Sequence, residues 1–215
     1  MRLACALCLA SALAGAQEPA IITGRVFDSF HRPVPNARVT PMERREINGK
    51  LAFNAGSAQA TVDTAGMYRL SLPPGRYTLA VLPPSQPLDF AAVFPAYLGD
   101  IVDAEKAPVI EVRSGELRPF VDFLLLEVEP HRVSGRVSGI NQASVTVTLY
   151  AASGYAGPLR TVVTDKQGEF VFDRIPAGSY ELKAAGPPAW YGSFHIDVRA
   201  PEIGNVRIHL RPDAR

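Results

Sequence analysis

Few residues in this chain of 215 could do chemistry, and the ones that could lie mostly near its end. Phe194, Ile196 and Val198 alternate as one strand, and Val206, Ile208 and Leu210 alternate as another. If residues 200–205 closed a hairpin with Val198 opposite Val206, His195 would face His209 and Asp197 would face Arg207 on the outer side. Two imidazoles and one carboxylate are the minimum for zinc, but Arg207 competes for Asp197. His195, His209 and Asp197 therefore form a weak metal candidate beside the plainer reading of a solvated strand face, and no metal or other cofactor is expected. Asp63 and Asp165 invite a calcium reading, yet neither is followed by the alternating carboxylates that a calcium loop supplies.

The second chemistry is aromatic stacking. Trp190 and Tyr191 follow two prolines and precede a glycine, and Phe90, Phe94 and Tyr97 sit in another proline-rich passage. Rings presented on stiffened loops can stack against sugars at little conformational cost. The same rings can equally cap the ends of a core, and aromatics beside prolines more often do. Trp190, Tyr191, Phe94 and Tyr97 are the ligand-contact candidates on the first reading and packing plugs on the second.

Covalent and phosphate chemistry find no footing. The sequence has no H-x-x-E zinc pair, no G-x-S-x-G elbow, and neither G-x-x-x-x-G-K-[ST] nor G-x-G-x-x-G. No nucleophile, base and oxyanion set can be assembled, so a catalyst is not expected. With 22 basic against 21 acidic residues, the chain has no electrostatic case for nucleic acid or an anionic membrane.

Residues 1–16 carry one basic residue, an apolar run and a final Ala-Gly-Ala, the pattern of a short secretory signal peptide cleaved near Ala16. That run is too short to remain as a membrane span, and no later segment is long enough. The two cysteines, Cys5 and Cys8, both fall inside it, so the mature chain would hold no disulfide and no thiol nucleophile. The expected location is secreted or periplasmic.

What positions the candidates is a repeat. Residues 61–81 and 164–184 align at Asp63/Asp165, Gly66/Gly168, Tyr68/Phe170, Leu72/Ile175, Gly75/Gly178, Tyr77/Tyr180 and Leu79/Leu182. Asp-x-x-Gly suits a turn whose carboxylate accepts backbone amides two residues on, with the glycine at positive φ. Gly75 and Gly178 are expected at positive φ in a second corner, and Tyr77 and Tyr180 are placed to bury their rings and bond their hydroxyls across it. Ile22, Gly24 and Val26, matched by Val133, Gly135 and Val137, read as first strands whose glycine permits a close approach. An insertion within residues 42–56 reads as a surface loop. The link over residues 127–132 is too short for a flexible tether.

Short strands, 19 prolines, 17 glycines and no convincing amphipathic helix argue for an all-β chain, with about seven strands per unit in two tandem antiparallel β-sandwiches. Ile22-x-Gly24-x-Val26, His31-x-Pro33-Val34-x-x-Ala37-x-Val39, Asp63-x-x-Gly66-x-Tyr68 and Leu72-Pro73-Pro74-Gly75-x-Tyr77 resemble the carboxypeptidase regulatory-like domain, a transthyretin-like sandwich also grouped with carbohydrate-binding-like folds. The second copy resembles it through Val133-x-Gly135-x-Val137, Asp165-x-x-Gly168-x-Phe170 and Ile175-Pro176-x-Gly178-x-Tyr180. The resemblance implies one such domain over residues 17–129 and another over 130–215. The chain departs from the family's turn glycine at Phe30-His31, and the second copy lacks the Pro-Val turn. Collagen-adhesin B-type domains are similar and often crosslink a first-strand lysine, but Arg25 and Arg136 stand in these first strands, so no self-formed crosslink is expected. The family's modules are mostly non-catalytic, which implies a structural or protein-interaction role, with carbohydrate binding through loop aromatics as the alternative. The partner, protein or glycan, is not named by these residues.

Overall fold

The computed structural model describes residues 17–47, 50–86, 88–99, 101, 104–139, 144–152 and 157–212. The signal peptide expected over residues 1–16 lies outside the described residues. The chain is all-β. Its first twelve strands are β1 (Ala20–Asp28), β2 (Arg38–Ile47), β3 (Lys50–Ala55), β4 (Ala60–Thr61), β5 (Met67–Leu72), β6 (Gly75–Leu82), β7 (Ala91–Ala92), β8 (Ala96–Tyr97), β9 (Ile110–Val112), β10 (Leu117–Arg118), β11 (Phe123–Leu125) and β12 (Glu127–Val128). Eight follow: β13 (His131–Ser138), β14 (Thr146–Ala151), β15 (Pro158–Val163), β16 (Glu169–Ile175), β17 (Gly178–Gly186), β18 (Trp190–Val198), β19 (Glu202–His209) and β20 (Arg211–Pro212).

Four larger sheets result. One is centred on β1, flanked by β5 on one side and by β10 and β11 on the other, and it faces a sheet ordered β3-β2-β6-β8 with β4 and β9 attached. The second half repeats the plan with β16-β13-β19 and β15-β14-β17-β18-β20. Each first strand pairs antiparallel with the strand after its Asp-x-x-Gly turn, and parallel with the last strands of its half. Among the described residues the sheets are thus antiparallel except for the pairs β1–β10, β1–β11 and β13–β19.

The repeated turns form as their residues dictate. Asp63 Oδ1 accepts the Ala65 and Met67 amides at 2.9 and 2.8 Å, and Asp165 Oδ1 accepts those of Gln167 and Glu169 at 2.9 and 2.8 Å. Gly66 and Gly168 take φ of 82° and 78°, which a side chain would strain. The second corner differs from expectation in part. Gly178 takes a positive φ, 159°, as expected, but Gly75 does not. Space explains both glycines: the Tyr77 and Tyr180 rings fold back over them, so a Cβ would lie 3.1 and 3.3 Å from the hydroxyls. Those hydroxyls donate to the Pro73 and Pro176 carbonyls at 2.9 Å.

In the turn after β1, His31 adopts φ of 60° and stacks on Phe27 with ring centroids 5.8 Å apart. Buried Asp28 ties this corner by accepting the Phe30 and Arg32 amides and the Arg32 Nε, the last at 2.6 Å. Burial opposes its charge, but those donors outweigh it and hold the carboxyl below its ordinary value.

The insertion within residues 42–56 is a hairpin and not a loop, because Met42–Ile47 pair with Lys50–Ala55. The link between the halves is also fixed: β12 pairs with β7, and His131 already begins β13.

Core packing follows from the alternation in β6. Leu79 and Val81 point into a cluster with Ile22, Val39, Leu70 and Phe123. Ala80 and Leu82 point the other way, into a cluster holding Phe53 and Tyr97 together with Val133, Phe172 and Leu182 of the second half. The sheet of the first half is therefore buried on both faces, and the second cluster runs through the junction.

Candidate functional site

The expected zinc geometry does not form. β18 pairs with β17, whereas β19 crosses to the other sheet and runs beside β13. Residues 199–201 are a crossover between sheets and not a hairpin turn, so Val198 is never set opposite Val206. His195 stands across from Glu181, His209 Nδ1 meets Ser138 Oγ at 3.2 Å, and Asp197 accepts from Ser179 Oγ and pairs with Arg199 at 3.6 Å. Among the described residues no three His, Cys, Asp or Glu side chains gather into a metal-sized group.

The four aromatic candidates are not brought together either. Tyr97 is 2% exposed, a core residue. Phe94 is partly buried and packs against both core clusters. The passage 186–192 is the tip of the β17–β18 hairpin, with Gly186 paired to Trp190. Trp190 points inward and rests on the second cluster, while Tyr191, its neighbour in an alternating strand, is 53% exposed.

Two tyrosines make the cores sensitive to alkali. Tyr68 donates to the Val121 carbonyl at 2.5 Å, and burial, helped by the Asp122 charge, raises its pKa well above the ordinary value. Burial pushes Tyr180 up to about 12, against a pull back from Arg160. A tyrosine raised in the fold from 10 to about 12 contributes stability that is whole below pH 10 and is lost as pH rises toward 12. Thermal melts across that range should fall less steeply for Tyr180→Phe than for the wild type; an unchanged slope would mean the ring ionises as freely as in the unfolded chain.

Several clefts of similar size open on the described residues, none of them announced by the sequence, and one combines both halves. A cleft of about 510 Å³ lies at the junction, lined by Arg38, residues 83–86, Leu88 and Phe94 of the first half and by residues 158–162 and 171–174 of the second. Arg38 Nε is buried there without a hydrogen-bond partner among the described residues. Arg160 Nη1 donates to the Asp173 carbonyl at 2.6 Å, and burial, with Arg174 nearby, lowers its pKa. Arg38 had no sequence signal, because it alternates away from Ala37 and Val39 and so falls on what would be the solvent side of a lone sandwich.

A family model described as the second beta sandwich domain of BOS complex subunit NOMO1-like proteins matches residues 131–198, which run from β13 through β18. No curated protein matches the chain. Among solved structures it is similar to the Bacillus anthracis TIE protein, at 15% identity over 91% of this chain and 34% of that one, with a TM-score of 0.34. It is similar also to a Streptococcal ancillary pilin, at 15% identity over 90% of this chain and 63% of that one, TM-score 0.36. GBS52, the minor pilin of Streptococcus agalactiae, aligns at 12% identity over 91% of this chain and 98% of that one, TM-score 0.32. The chain spans less than two thirds of the first two of these. All-β architecture, paired sheets and the family match define a protein of the β-sandwich class. No helix among the described residues is long and apolar enough to cross a membrane.

Proposed function

We propose that the chain is a secreted or periplasmic, non-catalytic module of two tandem carboxypeptidase regulatory-like domains, residues 17–129 and 130–215, with a structural or protein-interaction role at the cell envelope or outside the cell. One observation carries this reading: the aromatics that a sugar platform would need are spent on packing. Tyr97 is buried in the cluster that joins the halves, Phe94 is wedged between both clusters, and Trp190 rests on the second. In support of two domains, no strand pair among the described residues crosses from residues 17–129 into residues 130–215. The motifs shared by both halves also support two copies of one family.

Exposed Tyr191 favours the carbohydrate-binding alternative, since a single ring on a strand can stack on a sugar. Fluorescence separates the two. Trp190 is the one tryptophan, so its emission reports the neighbourhood of Tyr191. The interaction module is expected to show blue-shifted emission indifferent to soluble polysaccharide, with Trp190→Ala costing about 2 kcal/mol for a half-buried ring. Quenching by polysaccharide that disappears in Tyr191→Ala, at unchanged melting temperature, would replace it with the glycan reading.

A further inference from the structure

The cleft at the junction has two properties that point to an occupant. The first is charge. Arg38, Arg160 and Arg174 line it against a single carboxylate, Asp173, which is mostly exposed and already shared with Arg132 at 3.4 Å. Burying guanidinium groups without anions is costly, and the partnerless Arg38 Nε is where that cost is least offset. A planar carboxylate satisfies such donors in pairs.

The second is the shape of the wall. Pro158, Leu159, Arg160, Thr161 and Val162 all line the cleft, as do Val171, Phe172, Asp173 and Arg174. Successive residues of a strand point to opposite faces, so a cavity lined by consecutive residues runs along the strand's edge and not over one face. Among the described residues β15 is an outer strand of its sheet and β16 of the other, so each has an edge with no strand beside it, although the Asp173 carbonyl of β16 already accepts from Arg160. Leu159 and Phe172 of the second half and Leu88 and Phe94 of the first add apolar lining.

We propose that this cleft binds an acidic segment of a partner protein in extended form, its backbone added to the free edge of β15 and its carboxylates held by Arg38, Arg160 and Arg174. Main-chain pairing supplies affinity for an extended chain, and the arginines select acidic side chains. The inference rests on the protein-interaction reading and names the chemistry of the partner.

The test uses the whole chain with hexaglutamate as probe and hexaglutamine as its uncharged control. Hexaglutamate is expected to bind, more weakly as salt is added, and at least about tenfold more tightly than hexaglutamine. Arg38→Gln and Arg174→Gln should each weaken binding by about tenfold, the worth of one charged hydrogen bond, and Arg38→Lys should restore part of the loss. Arg174 is exposed, so its variant folds even if Arg38→Gln does not. Hydrogen exchange should slow at the β15 amides when hexaglutamate is present. The proposal is overturned if the two peptides bind alike, if neither arginine variant alters binding, if β15 exchange does not change, or if oligogalacturonate binds in preference to hexaglutamate. Absence of hexaglutamate binding, with Trp190 emission still indifferent to polysaccharide, removes the cleft alone and leaves the interaction module standing.

Discussion

Gly24→Ala and Gly135→Ala are each expected to destabilise the chain by about 3–5 kcal/mol, in the tail of single-substitution effects. The cause is steric and lies in the parallel pairing of first and last strands. A Cβ on Gly24 would sit 1.9 Å from the Val121 carbonyl oxygen, and one on Gly135 would sit 2.2 Å from that of Val206. Neither obstacle is a side chain that can turn away. Val121 is held in place by the hydrogen bond that its N–H donates to the Thr23 carbonyl at 3.1 Å and by the one that its carbonyl accepts from the Tyr68 hydroxyl. Moving it would break both and shift the strand that follows. Gly204→Ala is the control, because a Cβ there meets nothing nearer than Ser134 Oγ at 3.8 Å. Urea denaturation should place Gly204→Ala within about 0.5 kcal/mol of the wild type and the other two far below it. Wild-type midpoints for Gly24→Ala or Gly135→Ala would mean that the last strand does not approach the first as described.

Tyr97→Ala is the second large effect, expected at about 3–5 kcal/mol, as for other aromatic deletions in cores. Tyr97 is among the largest fully buried side chains, and it belongs to the cluster that contains Phe53 and Leu82 as well as Val133 and Phe172. Removing the ring opens a void at the junction, where a small adjustment of either sandwich cannot fill it. Calorimetry should therefore show one cooperative transition in the wild type and two separated steps in Tyr97→Ala, the loosened halves melting independently. A single transition at the wild-type temperature would take Tyr97 out of the joint.

Much of the fold could be read from local pattern. The Asp-x-x-Gly turns need only the chemistry of their own four or five residues, so Asp63 and Asp165 do what their type and position predict. The tyrosine corners were legible for the same reason, since Tyr77 and Tyr180 reach back only four residues. Of the glycines in those corners, Gly75 was misassigned because a turn glycine and a glycine that makes room for a ring look identical in sequence. The zinc arrangement failed on the same kind of ambiguity. An alternating strand followed by a short polar segment and another alternating strand describes a hairpin and a crossover between sheets equally well, and only the placement of β19 beside β13 separates them.

Period-two alternation, turn chemistry and repetition thus determined an all-β chain in two like halves, because those signals depend on neighbours a few residues apart. The tertiary structure alone decided which outward-facing residues remain outward. Ala80, Leu82 and Arg38 lie on the face that a solitary sandwich would show to water, and the second half covers it. That covering turned Tyr97 and Phe94 from loop aromatics into the packing of a joint, and it brought Arg38 and Arg160, with the exposed Arg174, to one cleft between segments that are far apart in sequence.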